Sequence, residues 1–257
     1  MTFLDEFMLI TSRTNETVKQ TRALREKKYR DAAGLHFIEG DKLVCEALHS
    51  GAAVKTVFCR EGAACPALCE GATRVDVTAA VMEALCVGDA PQSLCATVQT
   101  PLLAPPAAYE GLLLVLEHLQ DPGNVGTAIR SADAFGAAGV LLSPDTADPF
   151  SPKALRSSMG SVYHLPIYCA PLERELKKMR ANGYTCLCGH LHGSEVLPPY
   201  TKKTALVVGN EGQGVTENTA ELCYTYRLPM PGRAESLNAG VFASVMLFAL
   251  SSANRGG

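Results

Sequence analysis

Three segments rich in glycine and short polar side chains, each placed after an apolar run, hold the residue types that can bind a ligand and act on it. The first is Asn124-Val-Gly-Thr-Ala-Ile-Arg130. Asn124 is suited to capping the helix that follows, because a short side-chain acceptor satisfies an orphan backbone N–H. Gly126 permits close approach of another backbone. Arg130 falls on the opposite side from Ile129 and offers a planar fork of donors matched to phosphate. The second segment, Gly209-Asn-Glu-Gly-Gln-Gly214, follows the apolar run ALVVG. No Lys-Ser/Thr follows its last glycine, it is not GxGxxG, and Glu211 repels a phosphate held nearby, so the usual phosphate loops are excluded. A carboxylate among glycines suits a ligand with hydroxyls, an amine or a cationic centre. The third runs from Leu228 to Asn238 as LPMPGRAESLN. Pro229 and Pro231 cannot donate to a sheet ladder, and Ser236 and Asn238 stand where a helix N-cap belongs. Capping or a tight turn accounts for any one segment alone. It does not account for three of them recurring at strand ends in one domain.

The elements that must position these segments are legible as alternating apolar runs. In the second half, candidate strands are Leu112 to Leu116, Gly139 to Ser143, Leu165 to Cys169, Tyr184 to Cys188, Ala205 to Gly209 and Tyr226 to Leu228. Helices fit between most of them, and a last helix spans Leu237 to Ala253. Val125, Ala128, Ile129, Ala132 and Phe135 give the helix after Asn124 an apolar face. Strand–helix repetition with apolar strands predicts an α/β domain with a mostly parallel sheet covered by helices, whose ligands sit beyond the carboxyl ends of the strands. From Phe37 to Gln99 a similar alternation predicts a smaller α/β domain. The stretch TPLLAPPAAYEG, rich in Pro and Ala, reads as a linker. The expected division is therefore a first domain over 1–100, a linker over 101–111 and a second domain over 112–257.

Bulk properties narrow the function classes. Hydrophobic residues make up 47% and charged residues 19% of the 257, as in a folded, core-rich protein. A net charge of −3 and a pI near 6.1 argue against a protein that coats nucleic acid non-specifically. One region departs from the average: Arg13, Lys19, Arg22, Arg25, Lys27, Lys28 and Arg30 face only Glu16 and Glu26. A helix carrying them is a local positive surface able to meet phosphates. No apolar run reaches the roughly 18 residues of a membrane span. The N-terminal segment has an acid at Asp5 and no basic leader region, so a cytoplasmic location is expected. The ten cysteines, with spacings such as Cys65/Cys69 and Cys186/Cys188, form no paired CxxC module, so a zinc site has little support. Cys59, Cys95, Cys169 and Cys186 lie in apolar runs as small hydrophobes, and no metal is expected.

Taken together, DPGNVGTAIRSADAFGA, LVVGNEGQGV and LPMPGRAESLNAGVFASVMLFAL resemble the three ordered signature motifs of the SpoU (TrmH-like) branch of the SPOUT RNA methyltransferases, over residues 112 to 253. Upstream, ITSRTNETVKQTRALREKKYRDAAGLHFIEGDKLVCEAL resembles the substrate-binding domain that often precedes this catalytic domain and is related to a ribosomal-protein fold. The resemblance implies a deep trefoil knot in the second domain, a homodimer, and S-adenosylmethionine as methyl donor, methylating a ribose 2′-hydroxyl of RNA. It assigns functional positions to Asn124, Arg130, Glu211, Ser236 and Asn238. It assigns donor contacts to Val208, Gly209, Asn210, Gly212, Leu228, Met230, Leu237 and Asn238. In that reading Arg130 holds the phosphate and the 2′-oxygen, Glu211 positions Arg130 or the ribose, and the stretch Arg13 to Arg30 is the phosphate-contacting arm. Ribosomal RNA is the expected substrate and transfer RNA the alternative. A knotted RNA binder without chemistry is a rival, which failure to bind the donor would favour. Self-protection against a ribosome-directed antibiotic fits the same residues.

Overall fold

The computed structural model describes residues 9–67, 71–88 and 92–253; Asp5 and Cys69 lie outside them. Two compact units result, one formed by the residues up to Pro101 with Phe150–Pro152, the other by the rest.

In the first unit the chain order is β1 (Leu9–Ile10), α1 (Glu16–Ala23), α2 (Lys27–Ala33), β2 (Leu35–Glu39), α3 (Asp41–His49), β3 (Val54–Arg60), β4 (Thr73–Val77), α4 (Ala79–Leu85) and β5 (Leu94–Gln99). The strands form a mixed sheet in the order β1-β4-β3-β5-β2, with β5 antiparallel to both β2 and β3. Its core gathers Ile10, Val18, Phe37, Phe58, Val75, Val81, Met82, Leu85 and Cys95. The basic run is not one helix. It is split at Leu24, the C-cap of α1, and two of its arginines serve the fold. Arg25 donates to the carbonyls of Ala84, Leu85 and Cys86, at 3.0, 2.9 and 3.0 Å. Buried Arg30 donates to those of Leu24 and Arg25, at 2.9 and 2.8 Å. Orphan carbonyls at helix C-termini attract a cation that can reach them, so Arg25 and Arg30 are corrected from surface charges to helix-end ties.

The second unit comprises β6 (Leu102–Leu103), β7 (Leu112–Leu116), α5 (Pro122–Ala134), β8 (Gly139–Leu142), α6 (Pro152–Ser158), a 3-10 turn (Ser161–Tyr163), β9 (Ile167–Cys169), α7 (Leu172–Ala181), β10 (Thr185–Ser194), β11 (Thr204–Val208), α8 (Glu217–Leu222), β12 (Tyr224–Tyr226) and α9 (Ala239–Ala253). Its sheet runs β12-β10-β11-β7-β8-β9-β6 with every pairing parallel. Every residue of β7 and β11 is buried, which is why both read as unbroken apolar runs: each strand is covered on two faces. The stretch expected to be a linker is tied to this unit. Within it β6 pairs with β9, and buried Tyr109 donates its hydroxyl to Glu175 at 2.8 Å. A two-residue strand flanked by prolines leaves no periodic signal, which explains the misreading.

The strand order marks one end of the sheet as a place where a ligand can bind. From β7 the chain leaves through α5 toward β8; from its neighbour β11 it leaves through α8 toward β12, the other way. Connections that diverge from adjacent parallel strands open a crevice beyond their carboxyl ends.

Candidate active site

The loop after β7 begins with a buried carboxylate. Glu117 accepts from Thr216 N at 3.0 Å, Thr216 Oγ1 at 2.9 Å and Thr219 Oγ1 at 2.6 Å, so the end of β7 is fastened to the start of α8. His118 follows with φ 54°, and its carbonyl accepts from Asn210 Nδ2 at 2.9 Å. The helix cap is Asp121, not Asn124: its carboxylate accepts from the amides of Gly123 and Asn124 at 2.5 and 3.3 Å. Pro122 occupies the first helical position, which it tolerates because the N–H it lacks is an orphan there. A hydrogen bond from Lys153, at 2.8 Å, is the main cause holding the Asp121 carboxyl below its ordinary range.

Released from capping, Asn124 links the other two segments. Its Nδ2 donates to Glu211 Oε1 at 2.9 Å, and its Oδ1 accepts from Asn238 Nδ2 at 2.8 Å. Asn238 caps α9, its Oδ1 accepting from Val241 N at 3.2 Å. An ionised carboxylate only accepts, so Glu211 fixes the orientation of both amides down this chain. The amides of Gln120 and Asp121 also donate to Glu211, at 3.2 and 3.3 Å. Burial pushes the Glu211 carboxyl up, but the hydrogen bonds from Asn124 and from backbone amides outweigh it and leave it below its ordinary value. Glu211 therefore holds Asn124 and the 120–121 backbone; it does not engage Arg130. Arg130 is exposed and makes no hydrogen bond or ion pair among the described residues. Ser236 is exposed on the loop before α9.

Beside this cluster lies a cavity of about 390 Å³, within the roughly 300–1,000 Å³ range of small-molecule sites. Val208, Gly209, Asn210, Gly212, Leu228, Met230 and Leu237 all line it, as do Glu211 and Ser236; Asn238 does not, being turned toward Asn124. Gly209 is there by necessity: a Cβ on it meets the carbonyl carbon of Gly214 and the nitrogen of Val215 at 2.3 Å. The loop doubles back on itself through reciprocal 2.9 Å hydrogen bonds between Asn210 and Gly214. Sequence reasoning missed Gly189, His190, Leu191, His192 and Phe242, which form another wall. Gly189 is needed because a Cβ there lies 2.6 Å from the Phe242 ring. The available signal was the Gly-His-Leu-His run itself, four residues that follow an apolar strand without a turn.

Of the basic stretch, Arg13, Lys19, Arg22, Lys27 and Lys28 are exposed. Arg13 also donates to Ala80 O at 2.8 Å. Lys27 pairs with Asp31 at 2.6 Å and Lys28 with Glu26 at 3.2 Å. Buried cysteines 59, 95 and 186 pack in the cores, and among the described residues no group of three His, Cys, Asp or Glu side chains is placed to hold a metal ion. No described helix is long and apolar enough to cross a membrane.

A family model described as the SpoU rRNA Methylase family matches residues 111–248, and one described as the MRM3-like substrate binding domain matches residues 15–96. The 23S rRNA (guanosine(2553)-2′-O)-methyltransferase RlmP of Bacillus subtilis is 34% identical over 251 residues, covering 94% of this chain and 98% of that protein. The AdoMet-bound rRNA methyltransferase from Sinorhizobium meliloti superposes with a TM-score of 0.86 at 32% identity, over 96% of this chain and 98% of that one. The SpoU methyltransferase AviRb from Streptomyces viridochromogenes, in complex with AdoMet, gives 0.82 at 27% identity, over 95% and 99%.

Proposed function

The chain belongs to the SpoU rRNA methylase family, and on that footing we propose that it transfers the methyl group of S-adenosylmethionine to a ribose 2′-hydroxyl of ribosomal RNA, in the cytoplasm. The observation that carries the site assignment is the Asn238–Asn124–Glu211 hydrogen-bonded chain standing beside the cavity, with Arg130 unpaired on the same helix as Asn124.

The cavity suits the donor. Leu228, Met230, Leu237 and Phe242 give apolar walls for a flat base, and Asn210 and Glu211 give polar atoms for hydroxyls and a cationic centre. Bound there, S-adenosylmethionine supplies an electrophilic methyl group on a sulfonium that is itself the leaving group. The protein must then align the acceptor and deal with one proton. In this proposal Arg130 takes the substrate phosphate and the 2′-oxygen, stabilising alkoxide charge as the hydroxyl proton passes to solvent water. With a pKa above about 12, a guanidinium is a poor ground-state base. Glu211 holds Asn124 and the start of α5, and thereby the approach of Arg130. Ser236, exposed at the cavity rim, supplies a hydroxyl to the donor or the ribose. On the first unit, Arg13, Lys19, Arg22, Lys27 and Lys28 meet RNA phosphates, with Arg22 the one free of partners among the described residues.

A homodimer is part of the proposal. Val241, Val245 and Phe248 recur at i, i+4 and i+7 on α9 with exposures of 45%, 39% and 59%. That spacing is a single helix stripe, and an exposed apolar stripe marks an interaction surface.

Calorimetric titration with S-adenosylmethionine, on the wild type and Arg130→Ala, tests the site assignment. Saturable binding by both proteins is expected, with methyl transfer lost only in the variant. Absence of binding by the wild type rejects the enzyme reading in favour of a non-catalytic RNA binder.

A further inference from the structure

The cavity wall supplied by β10 holds two titratable groups that the proposed chemistry does not use. β10 pairs with β11 only from Thr185 to Cys188; beyond that it shifts register against β12 and continues to Ser194. This extension carries His190 and His192 onto the cavity wall, their ring centroids 5.9 Å apart. At Gly193 it packs closely against its neighbour, where a Cβ would lie 2.7 Å from the backbone of Thr225 and Tyr226. The His192 amide donates to His190 Nδ1 at 3.2 Å. That contact uses the lone pair of His190 Nδ1, and a proton on that nitrogen would put a second donor against the amide.

We propose that His190 and His192 set the selectivity of the cavity between methyl donor and demethylated product: neutral, the pair admits a sulfonium; protonated, it disfavours one. The inference rests on the cavity being the donor site. Donor and product share adenosine, amine and carboxylate, and differ by one methyl group and one positive charge on sulfur. Effects on the shared parts therefore cancel in the ratio of the two affinities, which isolates the field at sulfur. The other charged or titratable groups around the pair are Glu211 and Glu235 from the loops, and Tyr226 and Arg227 at the end of β12. Arg227 lies 3.8 Å from Glu195, which offsets part of its charge. Among these residue types imidazole is the one that serves as a charge switch near neutral pH.

The test is calorimetric titration with S-adenosylmethionine and S-adenosylhomocysteine at pH 7.5 and 5.5. Wild type is compared with His190→Asn, His192→Asn and the double variant. In the wild type, acidification weakens the donor by roughly three- to tenfold relative to the product, the scale of one or two unit charges acting through partly aqueous surroundings. In the double variant the ratio stays constant. A wild-type ratio that does not change with pH, or one that changes equally in the double variant, overturns the inference while leaving the donor site intact. Failure of the wild type to bind donor at pH 7.5 overturns the donor-site reading and this inference with it.

Discussion

Replacing Gly209 with alanine separates binding from folding. The new Cβ would meet Gly214 and Val215 backbone atoms at 2.3 Å, more than an ångström inside ordinary contact, and no flexible side chain is there to yield. The strand end and the return limb of the loop must part. The loss falls on the reciprocal pair, Asn210 N to Gly214 O and Gly214 N to Asn210 O, both 2.9 Å. At about 0.5–1.5 kcal/mol net for each hydrogen bond, opening the loop costs about 1–3 kcal/mol. Residues 211–214 are exposed, while Val215 packs in the core, and Tm falls by roughly 2–4 °C for each kcal/mol lost. The same loop lines the cavity, and the cost of reordering it is charged against the ligand: donor affinity drops by roughly 5- to 150-fold, at about 1.4 kcal/mol for each factor of ten. Calorimetry with S-adenosylmethionine, alongside thermal melts, measures both. Gly232→Ala is the control, because a Cβ there meets nothing within 4 Å. Donor affinity for Gly209→Ala within twofold of wild type would show that the loop does not shape the donor site.

Asn124→Ala breaks the link between Glu211 and Asn238; turnover should fall by about 10²-fold, as for other lost positioning groups, with donor affinity nearly unchanged. An equal loss of donor affinity in that titration argues against a substrate-side role. Gly126→Ala places a Cβ 2.4 Å from Ala154 O and 2.7 Å from Ser157 Cβ, so α5 and α6 are forced apart and denaturant unfolding should show a loss of about 1–3 kcal/mol. His36 is buried and neutral, burial lowering its pKa to about 3 with the Arg30 charge adding to the effect. The unfolded chain takes up a proton there near pH 6.5 and the folded chain does not, so His36 costs stability as pH falls from about 6.5 toward 3. The slope approaches 1.4 kcal/mol per pH unit. Unfolding of His36→Gln at pH 7, 6, 5 and 4 should show that slope removed, and an unchanged slope contradicts the assignment. Phe248→Glu puts a charge into the apolar stripe of α9 and should convert a dimer to monomer in sedimentation analysis; a dimer that survives it places the interface elsewhere.

The strands of the second unit were legible because burial on two faces writes an uninterrupted apolar run: β7 lies where Leu112 to Leu116 predicts it, and β11 is displaced by a single residue from Ala205 to Gly209. β10 continues past Cys188, where the apolar run stops, because its extension leaves the core and pairs with an edge strand alone. Asn124, Arg25 and Arg30 take roles other than those their composition suggests, each for a local reason. Both Asp121 and Asn124 are good caps, and the deciding signal, Pro122 at the first helical position, lay between them. Arg25 and Arg30 share composition with the surface lysines around them, and nothing in a charge count distinguishes an arginine drawn to helix-end carbonyls from one facing water. The three segments were legible as strand-end loops. Their connection through Asn124 was not, since the partners are 87 and 114 residues away.

Methyl transfer to a ribose oxygen is measured by following the label. Wild type and Arg130→Ala are incubated with ribosomal RNA and S-adenosylmethionine carrying an isotopic methyl group, and the RNA is digested to nucleosides. Label is expected in a 2′-O-methylnucleoside with the wild type and is lost with Arg130→Ala. Label in a base, or transfer that survives the variant undiminished, contradicts that expectation.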